Sequence, residues 1–206
     1  MSREVQVAMN VLAARELLAR AASTLADARV PMLALKGVVT MALAERLGEP
    51  LRRMVDVDVL VPRADRRKAE AALEACGFAL RSVAWGATTF SDPESALELD
   101  LHVALSDPGL FHIDEDALFE RAEPFDALPP HARVPERHDF YAHLVAHFVR
   151  NRSDARDRRR VRDFRIVATA WPLEPARLAR RLERFGLGRA ARFALPVAAA
   201  AGDPTA

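Results

Sequence analysis

Apolar residues recur at helical spacing over residues 4–28, and the run stops before Val30-Pro31. The short apolar stretch from Pro31 to Leu35 closes on Lys36-Gly37. It predicts a buried strand opening into a helix from Val38 to about Leu47, broken by Gly48-Glu49-Pro50. Residues 54–61, MVDVDVLV, predict a strand, and Pro62-Arg63-Ala64-Asp65 turns into a helix through Ala75 with Gly77 beyond its end. Phe78 to Trp85 predicts another strand; Gly86 and Ser91-Asp92-Pro93 suggest hairpin turns. Residues 96–104, ALELDLHVA, alternate with period two, as a strand does. Residues 106–137 are rich in proline and acidic groups, with one short helix expected at 114–121. From 138 onward the pattern is helical, over 138–150, 157–170, 174–185 and 188–200. Strands mixed with helices, then helices only, predict an α/β (α+β) fold. Residues 1–126 are expected to form a mixed-sheet core with an N-terminal helix, and residues 127–206 a helical region packed on it.

The strand from Val55 to Val61 is apolar apart from Asp56 and Asp58. Side chains alternate along a strand, so both aspartates point the same way, one pleat apart. Carboxylates that close raise each other's pKa, and burying them uncompensated is costly. A divalent cation relieves both problems, and Mg²⁺ takes one or two carboxylates plus substrate phosphates. In the second alternating strand Leu97, Leu99, Leu101 and Val103 face one side, and Glu98, Asp100 and His102 the other. If the two strands pair, Glu98 or Asp100 brings a third carboxylate to the site, as two-metal displacement at phosphorus requires. Gly37, at a strand-to-helix junction, suits a phosphate held by backbone N–H groups, with Lys36 as a neighbouring point charge.

Composition narrows the field without naming a partner. Half of the 206 residues are hydrophobic and the net charge is +1, enough for a sizeable core and no bias toward an acidic partner. No stretch predicts a membrane span, and the N-terminus reads as an amphipathic helix and not as a signal peptide. Cys76 is the one cysteine, which excludes an internal disulfide, and it reads as a small buried residue at a helix end. A cytoplasmic protein is expected. Lys36 and Lys68 are the only lysines among 30 basic residues, so arginine-rich patches say little here, whereas a lysine is a distinct choice.

Leu35-Lys36-Gly37, then Arg52 three residues before Val55-Asp56-Val57-Asp58-Val59-Leu60-Val61, then Cys76-Gly77-Phe78, then Leu99-Asp100-Leu101-His102, resemble the uncharacterised nucleotidyltransferase family. That family shares the polymerase-beta-type nucleotidyltransferase fold. His143 and His147, followed by Arg162-Asp163, resemble its C-terminal helical segment. The resemblance implies a mixed sheet with flanking helices and a nucleoside triphosphate in the cleft. It implies Mg²⁺ on Asp56 and Asp58, and Asp100 as the third carboxylate, on a second metal or on the acceptor hydroxyl. Gly37 would cradle phosphate, Lys36 would touch it, and Arg52 would brace the aspartates or a phosphate. Glu98, His102, His147 and Asp163 are accessory candidates. Val38 and Val55 depart from the small residues common at their positions in the wider superfamily.

The activity implied is nucleotidyl transfer to an acceptor hydroxyl on a small molecule, protein or RNA. Two alternatives are a toxin-like transferase acting on tRNA and a degenerate member that binds nucleotide or a partner without catalysis. The arginines between Arg150 and Arg162 alternate with Asp154, Asp157 and Asp163, which reads as a solvated helix surface before an RNA track. His143 and His147 read as histidines packed between helices, since the glutamate of a His-Glu-x-x-His zinc site is missing. Trp85 and Trp171 read as core.

Overall fold

The computed structural model describes residues 1–154 and 156–202. They divide into two compact units. The first comprises Met1–Ala104 and Glu115–Pro135; the second comprises Leu105–Asp114 and the chain from Glu136 on.

The first unit opens with α1 (Arg3–Asp27), capped by the Ser2 side chain, which accepts from Val5 N–H. Its buried residues Val11, Ala14, Leu18, Ala21, Ala22 and Leu25 repeat every three or four positions, so one stripe meets the core. Next come β1 (Leu33–Ala34), α2 (Lys36–Arg46) and β2 (Asp56–Leu60). After a single 3-10 turn follow α3 (Arg66–Ala75), β3 (Ala79–Val83), β4 (Ala87–Ser91) and β5 (Glu98–His102). Then come α4 (Glu115–Glu120), β6 (Glu123–Pro124) and β7 (Arg133–Val134). The strands form a seven-stranded sheet in the order β3-β4-β5-β2-β1-β7-β6. It is mixed: β2 runs parallel to β5 and β1 to β7, while the other neighbours are antiparallel.

Two details differ from the sequence expectation. The helix after β1 begins at Lys36, two residues early, because Lys36 turns the chain at φ 46°. The strands β6 and β7 fall in the stretch read as loop with a short helix; two residues are too few to show a period. Two side chains also lie outside where they were expected. Cys76 is exposed at the C-cap of α3, where the helix has ended. Trp85 is half exposed and is covered by the Arg63 guanidinium, 4.5 Å from its ring centre.

The second unit packs α5 (Arg137–Arg150), α6 (Arg158–Ala170), α7 (Pro175–Arg184) and α8 (Gly188–Gly202) against one another. Phe148 and Phe164 meet edge to face at 5.6 Å, and Phe140 meets Trp171 likewise at 5.4 Å. Glu136 caps α5, accepting from His138 N–H, and its other oxygen lies 2.7 Å from His138 Nδ1. Fully buried Asp139 is paired with Arg181. The arginine-rich stretch carries ion pairs of its own, Arg156 with Asp154, Arg160 with Asp157, and Arg150 with Asp107. Among the described residues no helix is long and apolar enough to cross a membrane.

Candidate active site

The register of β2 on β5 builds the site. Asp56 pairs with Glu98, Asp58 with Asp100 and Leu60 with His102. On the other side of β5, antiparallel β4 puts Thr89 opposite Asp100. Asp58, Asp100 and Thr89 therefore form one polar row across three strands, while Val57, Val59, Leu99 and Leu101 are buried.

Asp58, at the β2 end of this row, is its buried member. It is 4 % exposed, and its Oδ1 receives Lys36 Nζ at 2.5 Å and lies 2.8 Å from His102 Nε2. An ionised carboxylate only accepts, so His102 donates through Nε2. Burial pushes the Asp58 carboxyl up, but the Lys36 charge and the hydrogen bonds from His102 and Lys36 outweigh it. The carboxyl is held well below the usual carboxylate range and stays ionised. Asp100 is half-buried and accepts a hydrogen bond from Thr89 Oγ1 at 2.7 Å.

Donor atoms of Asp58, Asp100 and His102 all lie within 4.8 Å of one another. The set fits a hard divalent cation: two carboxylates from adjacent strands, one of them buried and hydrogen-bonded by Lys36 and His102. Asp56 shares the Asp58 side of β2 but stands one pleat away, half-buried and outside the converging three. Glu98 is exposed and outside it too.

The N-terminus of α2 arrives at the same place. Leu35 N–H donates to the Asp58 carbonyl at 3.0 Å, which ties the start of the helix to β2. No side chain caps this helix start. Gly37 is buried, and a Cβ built on it would come 3.1 Å from Met54 Sδ and 3.8 Å from Arg52 Nη2. A bare backbone here lets the helix pack on the segment leading into β2, with the Arg52 guanidinium alongside. Asn10 of α1 clamps that segment, donating to the Met54 carbonyl at 3.0 Å and accepting from its N–H at 2.7 Å. Val38 is buried in α2 and Val55 is exposed beside β2.

A mixed sheet that presents paired carboxylates next to a helix start has a match in sequence. Over residues 1–202 the chain matches the profile of the uncharacterised nucleotidyltransferases. The chain belongs to this family. No curated protein matches it in sequence. Solved structures place this member of the family in a wider fold. It is similar to the antibiotic-resistance factor ANT(2'')-Ia in solution, at 15% identity and TM-score 0.56, covering 86% of this chain and 90% of that one. It is similar also to ANT(2'')-Ia in complex with adenylyl-2''-tobramycin, at 14% identity and TM-score 0.51, covering 100% of both chains. An antigenic nucleotidyltransferase-like protein from Paracoccidioides brasiliensis aligns at 17% identity and TM-score 0.52, over 87% of this chain and 92% of that one. These likenesses establish the nucleotidyltransferase fold.

Sequence reasoning missed Thr89 and Asn10. Thr89 sits in a strand whose residues alternate in burial, so its place opposite Asp100 follows only from register. Asn10 lies in a helix, and its bonds to Met54, 44 residues away, leave no local trace in the sequence. His147 and Asp163, the outlying candidates, belong to α5 and α6 of the second unit.

Proposed function

We propose that this chain transfers a nucleotidyl group from a magnesium-bound nucleoside triphosphate to an acceptor hydroxyl, releasing pyrophosphate. The observation that carries the reading is the convergence of Asp58, Asp100 and His102 donor atoms beside the start of α2. Asp58 and Asp100, with Asp56 beside them, are the metal ligands in this reading. Magnesium when bound would neutralise charge on the triphosphate and orient it for in-line displacement. The N–H groups at the start of α2, brought close by Gly37, hold phosphate oxygens. Lys36 and Arg52 supply positive charge to the same phosphates. The acceptor hydroxyl attacks the α-phosphorus, the bond to the β-phosphate oxygen breaks, and a carboxylate takes the hydroxyl proton. Asp100 is the group for that step when it is not engaged with metal. Glu98 and His102 are accessory residues, and His102 acts by holding Asp58 through Nε2.

The adenylyl-2''-tobramycin held by ANT(2'')-Ia supports a small-molecule hydroxyl as acceptor and ATP as donor. The reading places the reaction in the cytoplasm, where triphosphates are supplied.

Thermal unfolding with a panel of nucleoside triphosphates, with and without Mg²⁺, tests the proposal. A ligand that binds the native state raises the melting temperature. A magnesium-dependent rise for one triphosphate in the wild type, lost in Asp58→Asn, is the expected result. No rise with any nucleotide would overturn it in favour of a degenerate member of the fold.

A further inference from the structure

Lys36 stands in an unusual position for its residue type. It is the first residue of α2 and holds φ at 46°, in the left-handed region where a non-glycine residue is uncommon. Such a conformation persists where the surroundings impose it, and it clusters at working sites. Here it accompanies a specific contact: the ammonium lies 2.5 Å from Asp58 Oδ1, with the lysine side chain 17% exposed and the aspartate 5%. His102 Nε2 reaches the same oxygen. One of the three converging donors is therefore already neutralised by a cation that belongs to the chain.

The identity of that cation matters. Arginine supplies almost all the positive charge in this sequence, and Lys36 is one of two lysines. Arginine would grip a carboxylate with two parallel N–H bonds, whereas lysine is a compact charge on a flexible stem, easily turned to another anion. A divalent cation and an ammonium on one carboxylate repel each other, so the ammonium weakens metal binding there.

Resting on the reading of this site as a metal–nucleotide site, we infer that Lys36 is a resident counter-ion for Asp58, displaced onto the triphosphate when metal and nucleotide enter together. Without nucleotide the ammonium sits on Asp58 Oδ1 and disfavours bare metal. With nucleotide, the phosphates give the ammonium a second partner and free Asp58 for the cation. Metal and triphosphate then each raise the affinity for the other, and this coupling is equal in both directions.

The test is Mn²⁺ binding followed by electron paramagnetic resonance on the full chain. It uses the wild type, Lys36→Met, Lys36→Gly and Lys36→Arg, with Mn²⁺ alone and with Mn²⁺ plus a non-hydrolysable ATP analogue. Glycine adopts positive φ freely, so Lys36→Gly removes the charge without strain and stands in if Lys36→Met folds poorly. Removing the ammonium is expected to tighten Mn²⁺ alone by about tenfold, the scale of one screened charge interaction. Lys36→Arg, which keeps the charge, should bind Mn²⁺ alone no more tightly than the wild type. The benefit that nucleotide brings to Mn²⁺ should shrink in the methionine and glycine variants. Unchanged or weaker binding of Mn²⁺ alone by those two variants, while the wild type takes Mn²⁺ with the analogue, overturns the inference and leaves the site reading standing. Absence of Mn²⁺ binding by every form, with or without the analogue, overturns both.

Discussion

Asp58 and Asp100 are register partners across the parallel pair β2 and β5, so two carboxylates face the same side of the sheet on adjacent strands. In water their repulsion would be mild; with Asp58 buried it is resisted by Lys36 and His102 on the same oxygen. Charge balance at this point of the sheet is thus part of the fold as well as of the chemistry.

Asp58→Asn keeps the shape of the side chain and removes its charge. Nucleotidyl transfer is expected to fall by about 10³-fold or more, on the scale of losing a principal electrostatic group. Lys36 loses its ion pair, so stability should drop by about 1–3 kcal/mol, with the fold retained. Circular dichroism against urea, run beside a pyrophosphate-release assay, separates the two effects. Wild-type release in a folded variant would remove Asp58 from the mechanism.

Thr89 donates to Asp100 Oδ1 and so fixes the plane of that carboxylate. Thr89→Val is nearly isosteric and deletes the donor. Metal affinity in the presence of nucleotide is expected to fall about 10- to 100-fold, as for other partners that orient a metal ligand. Titration calorimetry checks it. A variant with unchanged affinity and unchanged turnover would show that Asp100 is positioned by its strand alone.

Asn10 holds both backbone groups of Met54, the residue against which Gly37 packs. Asn10→Ala should cost about 1–2 kcal/mol, since two hydrogen bonds to part-buried backbone are lost. Because Met54 then has freedom to shift, KM for the triphosphate should rise more than kcat falls. Denaturant unfolding and steady-state kinetics give both numbers.

The second unit carries a pH signature. Burial pushes the Glu136 carboxyl up, but the hydrogen bond from His138 and the charges of His138 and Arg177 outweigh it, so it sits below its ordinary value. A carboxyl depressed in the folded state adds stability that is complete above its unfolded pKa and is lost as pH falls through the folded one. The stability difference between wild type and Glu136→Gln should therefore be largest near neutrality. It should shrink as pH drops below the ordinary glutamate value of 4.5. Urea unfolding at a series of pH values reads the difference directly; a gap that widens toward acid would reverse the sign of the argument.

Much of this site was legible before any coordinates. Asp56 and Asp58 interrupt an apolar run, and Glu98, Asp100 and His102 alternate against leucines, so each strand and its polar side could be read from a local period of two. Which carboxylate meets which is a different kind of information. Register is fixed by contacts between distant segments, and it is register that joins Asp100, and not Glu98, to Asp58. The left-handed turn at Lys36 was hidden because nothing in a lysine's local preference announces positive φ. β7 was hidden for the opposite reason: Arg133–Val134 is a strand only because β1 and β6 flank it.

The parallel pairing of β2 with β5 has a consequence for the order in which the protein acquires its function. β3, β4 and β5 are joined by antiparallel neighbours and can associate early, from nearby sequence. β2 reaches β5 only by a crossover that spans α3 and the hairpin, so Asp58 and Asp100 meet late. A chain still missing residue 100 holds half of the proposed site and no more. Any ligand that bridges the two strands thereby reports a finished sheet and fastens the seam between them.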